Sequence, residues 1–136
     1  MMNDVRCVVV LNSALTVGKA ANAAAVLSLT LGQRHPHLVG DALADASGQC
    51  YPGLIPVGIP VLSADNTQLS VLLECCEEQQ FDAIIFPQEG QMTVDYAEFS
   101  AAVSQIATAD LQHLGLAIAG EKKALRKLTA KLKLFG

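Results

Sequence analysis

Residues Arg6 to Gly32 read RCVVVLNSALTVGKAANAAAVLSLTLG, and they decide the fold. Arg6–Leu11 is short, β-branched and continuously apolar, the pattern of a central strand covered on both faces. Asn12–Val17 is a polar loop. Lys19–Leu31 then reads as a helix whose Ala20, Ala21, Ala23, Ala24 and Ala25 permit close packing against a sheet, with Gly32 as its stop. The helix opens at Gly18-Lys19, so a cation sits where the helix dipole favours an anion. A charge so placed at a strand-to-helix turn marks a candidate site.

Downstream, Gln33–Pro60 is loop-rich. Asp45-Ala-Ser-Gly48 is a turn signal between Val39–Ala44 and Gln49–Tyr51, which predicts a small hairpin. Val57–Leu62 is expected as the second sheet strand, with Pro56 and Pro60 placing it at an edge or its prolines at strand ends. Ser63 or Asp65 caps the next helix, with Asp65 and Gln68 at capping-box spacing. Leu69, Leu72, Leu73 and Cys76 fall on one face of it, and Glu74, Glu77 and Glu78 face water. Phe81–Phe86 is a third strand, followed by the loop Gln88–Met92 and by Thr93 as an N-cap. Tyr96, Phe99, Val103 and Ile106 mark one helical face. His113–Ala119 is the last strand, Glu121–Ala130 the last helix, and Leu132–Phe135 an extended tail. Strands alternating with helices predict one three-layer α/β/α domain over residues 1–136, with a mixed four-stranded sheet and a hairpin insertion.

Half of the 136 residues (51%) are hydrophobic and 16% are charged, which predicts a dense aliphatic core and excludes disorder. No apolar run has the ~20 residues of a membrane span, and the N-terminus resembles no signal peptide, so a cytoplasmic location is expected. Cys7, Cys50, Cys75 and Cys76 lack zinc spacing and read as buried free thiols; no metal or cofactor is expected. Residues 1–120 carry three basic residues (Arg6, Lys19, Arg34) against twelve acidic ones. Residues 121–136 carry six basic residues against Glu121. The acidic body disfavours a tRNA partner. The tail residues Lys122, Lys123, Arg126, Lys127, Lys131 and Lys133 could attract phosphates, although a solvated helix face explains them as well.

The strand–loop–helix nearly spells the phosphate loop GxxxxGK[ST], but Ser13 replaces the first glycine and Ala20 the magnesium-binding hydroxyl. What remains is a plain anion site at a helix N-terminus with Lys19 as helper. Asn22 lies one turn further on, either as a core or interface amide or as a substrate-binding one on the same face as Lys19. His35 and His37 read as exposed loop histidines, and His113 has no nucleophile near it in the sequence. Ligands of open α/β sheets bind outside the carboxyl ends of strands. If the first and third strands are parallel neighbours, Lys19, Asn22, Gln88, Glu89 and Gln91 converge on one cleft.

The pieces CVVVLN, GKAANAAAVL, LVGDALADASGQCYPGL, FPQEGQMTVDY and LGLAIAGEKKALRKLTAKLKLF resemble the uncharacterised family called domain of unknown function 2000. That family is similar in fold to the type II peptidyl-tRNA hydrolases, which cleave the ester of peptidyl-tRNA and have a four-stranded mixed sheet flanked by helices. Matching Ala20, Ala21 and Asn22 to the AAQ of the hydrolase motif resembling GKxAAQ puts Gly18 at the lysine position, and sliding by one restores Lys19 but loses the amide match. The motif resembling DAGRTQ places its aspartate on Gln88, which cannot take a proton as a carboxylate can, its glycine on Gly90 and its basic residue on Gln91. The resemblance implies Lys19 and Glu89 as catalytic candidates, and Gly18, Asn22, Gln88, Gly90 and Gln91 as substrate-binding ones. Two functions follow. The first is a ligand-binding or interaction module that lacks the aspartate and takes a small acyl or anionic ligand; its Ala-rich faces also suit a homodimer. The second is an ester or amide hydrolase.

Overall fold

The computed structural model describes residues 4–136. In chain order its elements are β1 (Val5–Asn12), α1 (Val17–Arg34), the hairpin strands β2 (Leu43–Ala44) and β3 (Cys50–Tyr51), β4 (Val61–Ala64), α2 (Asn66–Glu78), β5 (Asp82–Pro87), α3 (Tyr96–Val103), β6 (His113–Glu121), α4 (Lys122–Leu128) and β7 (Lys133–Leu134). The main sheet has the order β5-β6-β1-β4-β7. Among the described residues only β1 and β4 pair in parallel; β6 runs antiparallel to both β1 and β5, and β7 antiparallel to β4.

Cys7 to Leu11 are buried without a break because side chains of a strand alternate between two covered faces. Cys7, Val9 and Leu11 pack with Ala20, Ala23, Leu27 and Leu31 of α1. Val8 and Val10 pack on the other face with Leu69, Leu72 and Cys76 of α2 and Leu125 of α4. Helices therefore cover both sides of the sheet. Each fully buried aliphatic side chain contributes about 1.5–3 kcal/mol of burial.

Local chemistry sets the element ends. Asp65 and Gln68 form a full capping box at α2: the carboxylate accepts from Gln68 N at 2.8 Å, and Asp65 N donates back to Gln68 Oε1 at 2.9 Å. The hairpin turn is held by Asp45, whose carboxylate accepts from Ser47 N, Gln49 N and the Tyr51 hydroxyl, while Gly48 takes φ +83.

Several expectations are corrected. Gly32 lies inside α1, which starts at Val17 and runs to Arg34. Leu31 belongs to the buried face, and its carbonyl accepts from His35 N, so the helix holds until Pro36. The second main-sheet strand begins only after Pro60 and is not an edge, since β7 pairs Leu62 with Leu134. The tail thus supplies a fifth strand. The N-cap of α3 is Asp95, whose carboxylate accepts from Glu98 N; Thr93 instead donates its hydroxyl to Glu89 O. The helix ends at Val103 and buries no residue fully, and Tyr96 is 81% exposed, so its apolar stripe is not a core face. Cys7 and Cys76 are buried free thiols, but Cys50 is exposed on the hairpin and Cys75 half-buried. His35 is half-buried, not exposed, and shares Asp82 with Arg34 at 2.6 and 2.8 Å. That guanidinium, with His35, holds the Asp82 carboxyl below its usual range.

Candidate ligand site

β1 and β5 are not neighbours, because β6 lies between them. Each is antiparallel to β6, so they still point the same way and end at the same rim. The amino end of β6, with His113, reaches that rim from the opposite direction.

The first rim loop is fixed by Asn12. Its Nδ2 donates to His113 O at 3.0 Å, and its Oδ1 accepts from Ala14 N at 3.0 Å, a local turn of the kind asparagine favours. Thr16 is the N-cap of α1 in extended conformation, yet its side chain makes no capping bond. The first helical bond is Ala20 N to Thr16 O. The amides of Val17, Gly18 and Lys19 thus have no acceptor among the described residues, and the first turn holds no acid.

The second rim segment is a 3-10 turn, Gln88–Gln91. Gln91 Nε2 donates to Lys19 O at 3.0 Å and to Asn22 Oδ1 at 3.1 Å, tying the turn to α1. Gly90 lies against the Phe86 ring so closely that a β-carbon there would collide with it. Gly18, Lys19, Asn22, Gly90, Gln91 and Thr93 line one cleft of about 340 Å³. A second cavity of about 250 Å³ adjoins it at Lys19, with Asn12, Thr16, Gln88 and His113 in its wall.

Six of the seven candidates from the sequence therefore border these two spaces. Glu89 does not. In a 3-10 turn residues three apart eclipse, so Gln88 and Gln91 share a face and Glu89 points elsewhere. It is buried, with Oε1 unpartnered. His113 has the role that sequence reasoning missed. It is 3% exposed, its Nδ1 lacks a partner among the described residues, and it lines the cavity beside Lys19. Burial pushes its pKa down, and the nearby Glu89 charge opposes that shift. A strand beginning at a ligand rim was the available signal, since the same geometry marks strands that end there.

The electrostatics single out Lys19. Of the three basic residues before residue 121, Arg6 pairs with Asp4 and Arg34 with Asp82, while Lys19 has no carboxylate within 4.0 Å among the described residues. A lone ammonium beside open helix amides can hold an anion or stabilise a developing oxyanion. The other basic group lies far away: α4 follows the carboxyl end of the nine-residue β6, about 30 Å along the strand from His113. No group of three or more potential metal ligands occurs among the described residues. Nor is any helix among them long and apolar enough to cross a membrane.

A family model described as a protein of unknown function (DUF2000) matches residues 5–135. The solved structure of Atu0240, a protein of unknown function from Agrobacterium tumefaciens strain C58, is similar at a TM-score of 0.88. The match covers 99% of this chain and 100% of that one at 22% sequence identity, a likeness of fold. No curated protein matches the chain.

Proposed function

The chain belongs to the DUF2000 family of proteins of unknown function, and we propose that it is a ligand-binding module taking a small acyl or other anionic ligand at Lys19. One observation carries this reading. Among the described residues before residue 121, Lys19 is the one basic residue of three that pairs with no carboxylate, and it stands at the amino end of an 18-residue helix whose first amides have no acceptor among the described residues. Each charge-assisted hydrogen bond formed there contributes about 1.5–3 kcal/mol, and the helix dipole adds about 0.3–1 kcal/mol. The buried His113 in the adjoining wall supplies a second polar group, a ring Nδ1 without a partner among the described residues.

The fold is read as related to that of the type II peptidyl-tRNA hydrolases, on the strength of the mixed β5-β6-β1-β4 core with helices on both faces. Binding is preferred over their reaction because Gln88 stands at the aspartate position and the neighbouring Glu89 is turned away from both cavities. Thermal denaturation with inorganic phosphate, acetate and succinate tests the reading. A saturating ligand at a hundred times its dissociation constant adds about 2.7 kcal/mol, which should appear as a raised Tm in the native protein and vanish in Lys19→Ala. A Tm indifferent to all three anions, or shifted equally in the variant, overturns it.

A hydrolase is the second reading, favoured by the buried imidazole of His113 beside the Lys19 cavity, where a general base could sit. Turnover of peptidyl-tRNA or p-nitrophenyl acetate that is lost in both Lys19→Ala and His113→Asn would establish it. No turnover would discard it.

A further inference from the structure

We infer that the ligand is the carboxyl end of an extended, largely apolar peptide, laid along the open edge of β5 with its terminal carboxylate at Lys19. The inference rests on Lys19 being an anion site and adds what lies beyond the anion.

β5 is the end strand of the sheet, and no strand pairs with its outer edge among the described residues. Ala83, Ile84, Ile85 and Phe86 all line one groove of about 590 Å³. Side chains of a strand alternate, and these do: Ile84 and Phe86 join the α1-side core, Ala83 and Ile85 the α2-side core. Four consecutive residues can share one groove only through the backbone edge between those faces. The groove floor is therefore a row of peptide groups, every second residue presenting its N–H and C=O outward. The irregularity of this strand, a register shift between Phe86 and Pro87, and the proline itself lie at its carboxyl end and leave the edge from Ala83 to Ile85 regular. Asp82 is held by Arg34 and His35, and no charged residue stands between it and Pro87. Exposed edges of this kind are normally charged, bulged or covered.

The walls are apolar: Val26 and Leu27 of α1 on one side, Tyr96 and Phe99 of α3 on the other. A hydrocarbon tail would suit those walls but would strip water from the backbone groups of the floor without replacing their hydrogen bonds, which is costly. A peptide strand returns those bonds, the mode known as strand addition. Gly90 and Thr93 line both this groove and the Lys19 cleft, so the two form one path. Four residues of β5 span about 13 Å, room for a segment of similar length. Because β5 ends at the Lys19 rim, a peptide with its carboxylate there runs parallel to β5. Asp95, also on the groove wall, disfavours acidic side chains in the body of the peptide.

The test uses an amino-terminally fluorescein-labelled hexapeptide alternating valine and threonine, as the free acid and as the carboxyl amide, with decanoate and inorganic phosphate beside them. Anisotropy reads peptide binding, thermal shift reads the other two, hydrogen exchange reads the amides of residues 83–86, and light scattering reads mass. The free acid is expected to bind and to slow exchange at the outward amides of β5. The amide should bind roughly tenfold or more weakly, the loss of one charge-assisted contact. Lys19→Gln should abolish that preference. Thr30→Trp, which fills the groove from an exposed position on α1, should abolish peptide binding while phosphate still raises the Tm. Phosphate binding with no peptide binding overturns the inference and leaves the anion site standing, whereas failure of both removes both. Decanoate binding as tightly as the peptide without protecting β5 also overturns it. So does protection of β5 in the protein alone that rises with concentration and with a doubled mass, for then a second copy covers the edge.

Discussion

Replacing His113 by glutamine should flatten the stability of this protein between neutral and mildly acidic pH. The imidazole is 97% enclosed, counted from its 3% exposure, and burial holds its pKa below the ordinary 6.5. Below pH 6.5 the unfolded chain therefore binds a proton that the folded chain refuses. The stability from a neutral His113 is complete above 6.5 and is lost as pH falls from 6.5 toward the folded value. A single proton limits the slope to about 1.4 kcal/mol per pH unit. One unit of acidification can thus cost at most about 1.4 kcal/mol, or about 0.7 M in the urea midpoint for a slope near 2 kcal/mol per molar. Asp82, held below the carboxylate range, titrates outside this window. Urea unfolding at about pH 7.5, 6.5 and 5.5 on the native protein and His113→Gln isolates the effect as the difference between two profiles, not as an absolute stability. Glu89→Gln sharpens the test: removing the carboxylate that pulls the imidazole upward should carry the loss to lower pH. Parallel profiles for the native protein and His113→Gln would refute the reasoning.

Two further outcomes concern the scaffold. Leu69 is completely buried between α2 and the sheet, so Leu69→Ala should destabilise by about 2–5 kcal/mol in urea unfolding, and a loss under about 1 kcal/mol would contradict the packing described. Asp65→Ala removes the carboxylate half of the α2 capping box and should cost about 1 kcal/mol by the same measurement. Asp65→Ser, which keeps an acceptor, should recover most of it.

Legibility followed the range of the interaction. β1 was plain because burial on both faces leaves an unbroken apolar run, and α2 because Asp65 and Gln68 announce its start within four residues. The hairpin was plain for a similar reason, its turn being held by one residue, Asp45. β7 was not, since two residues carry no periodicity and exist as a strand only because β4 offers an edge. The extent of α1 past Gly32 depended on Leu31 finding the core, a tertiary matter. At the site, the meeting of Lys19, Asn22 and Gln91 was legible from the rule that ligands gather at strand ends. The inward turn of Glu89 was not, because it depends on the phase of a four-residue 3-10 turn. His113 was hidden for a different reason. Its partners come from β1 and α2: its carbonyl accepts from Asn12, and its N–H donates to Asn66.

The central place of β1 has a consequence for synthesis. Its two partners are β4 and β6, and Asn12 meets His113 across 101 residues of chain. At about 5–20 residues per second, a ribosome takes roughly 5–20 s to make that interval. Throughout it, α1 and later α2 can cover the faces of Val8, Val9, Val10 and Leu11, but the only strand partner on offer is the parallel β4, and the antiparallel partner that completes the sheet does not yet exist. The segment at the centre of the finished sheet is thus an aliphatic run with an unpaired edge while nascent. A holdase that recognises short aliphatic runs would find its target here, early in translation, and lose it when β6 emerges.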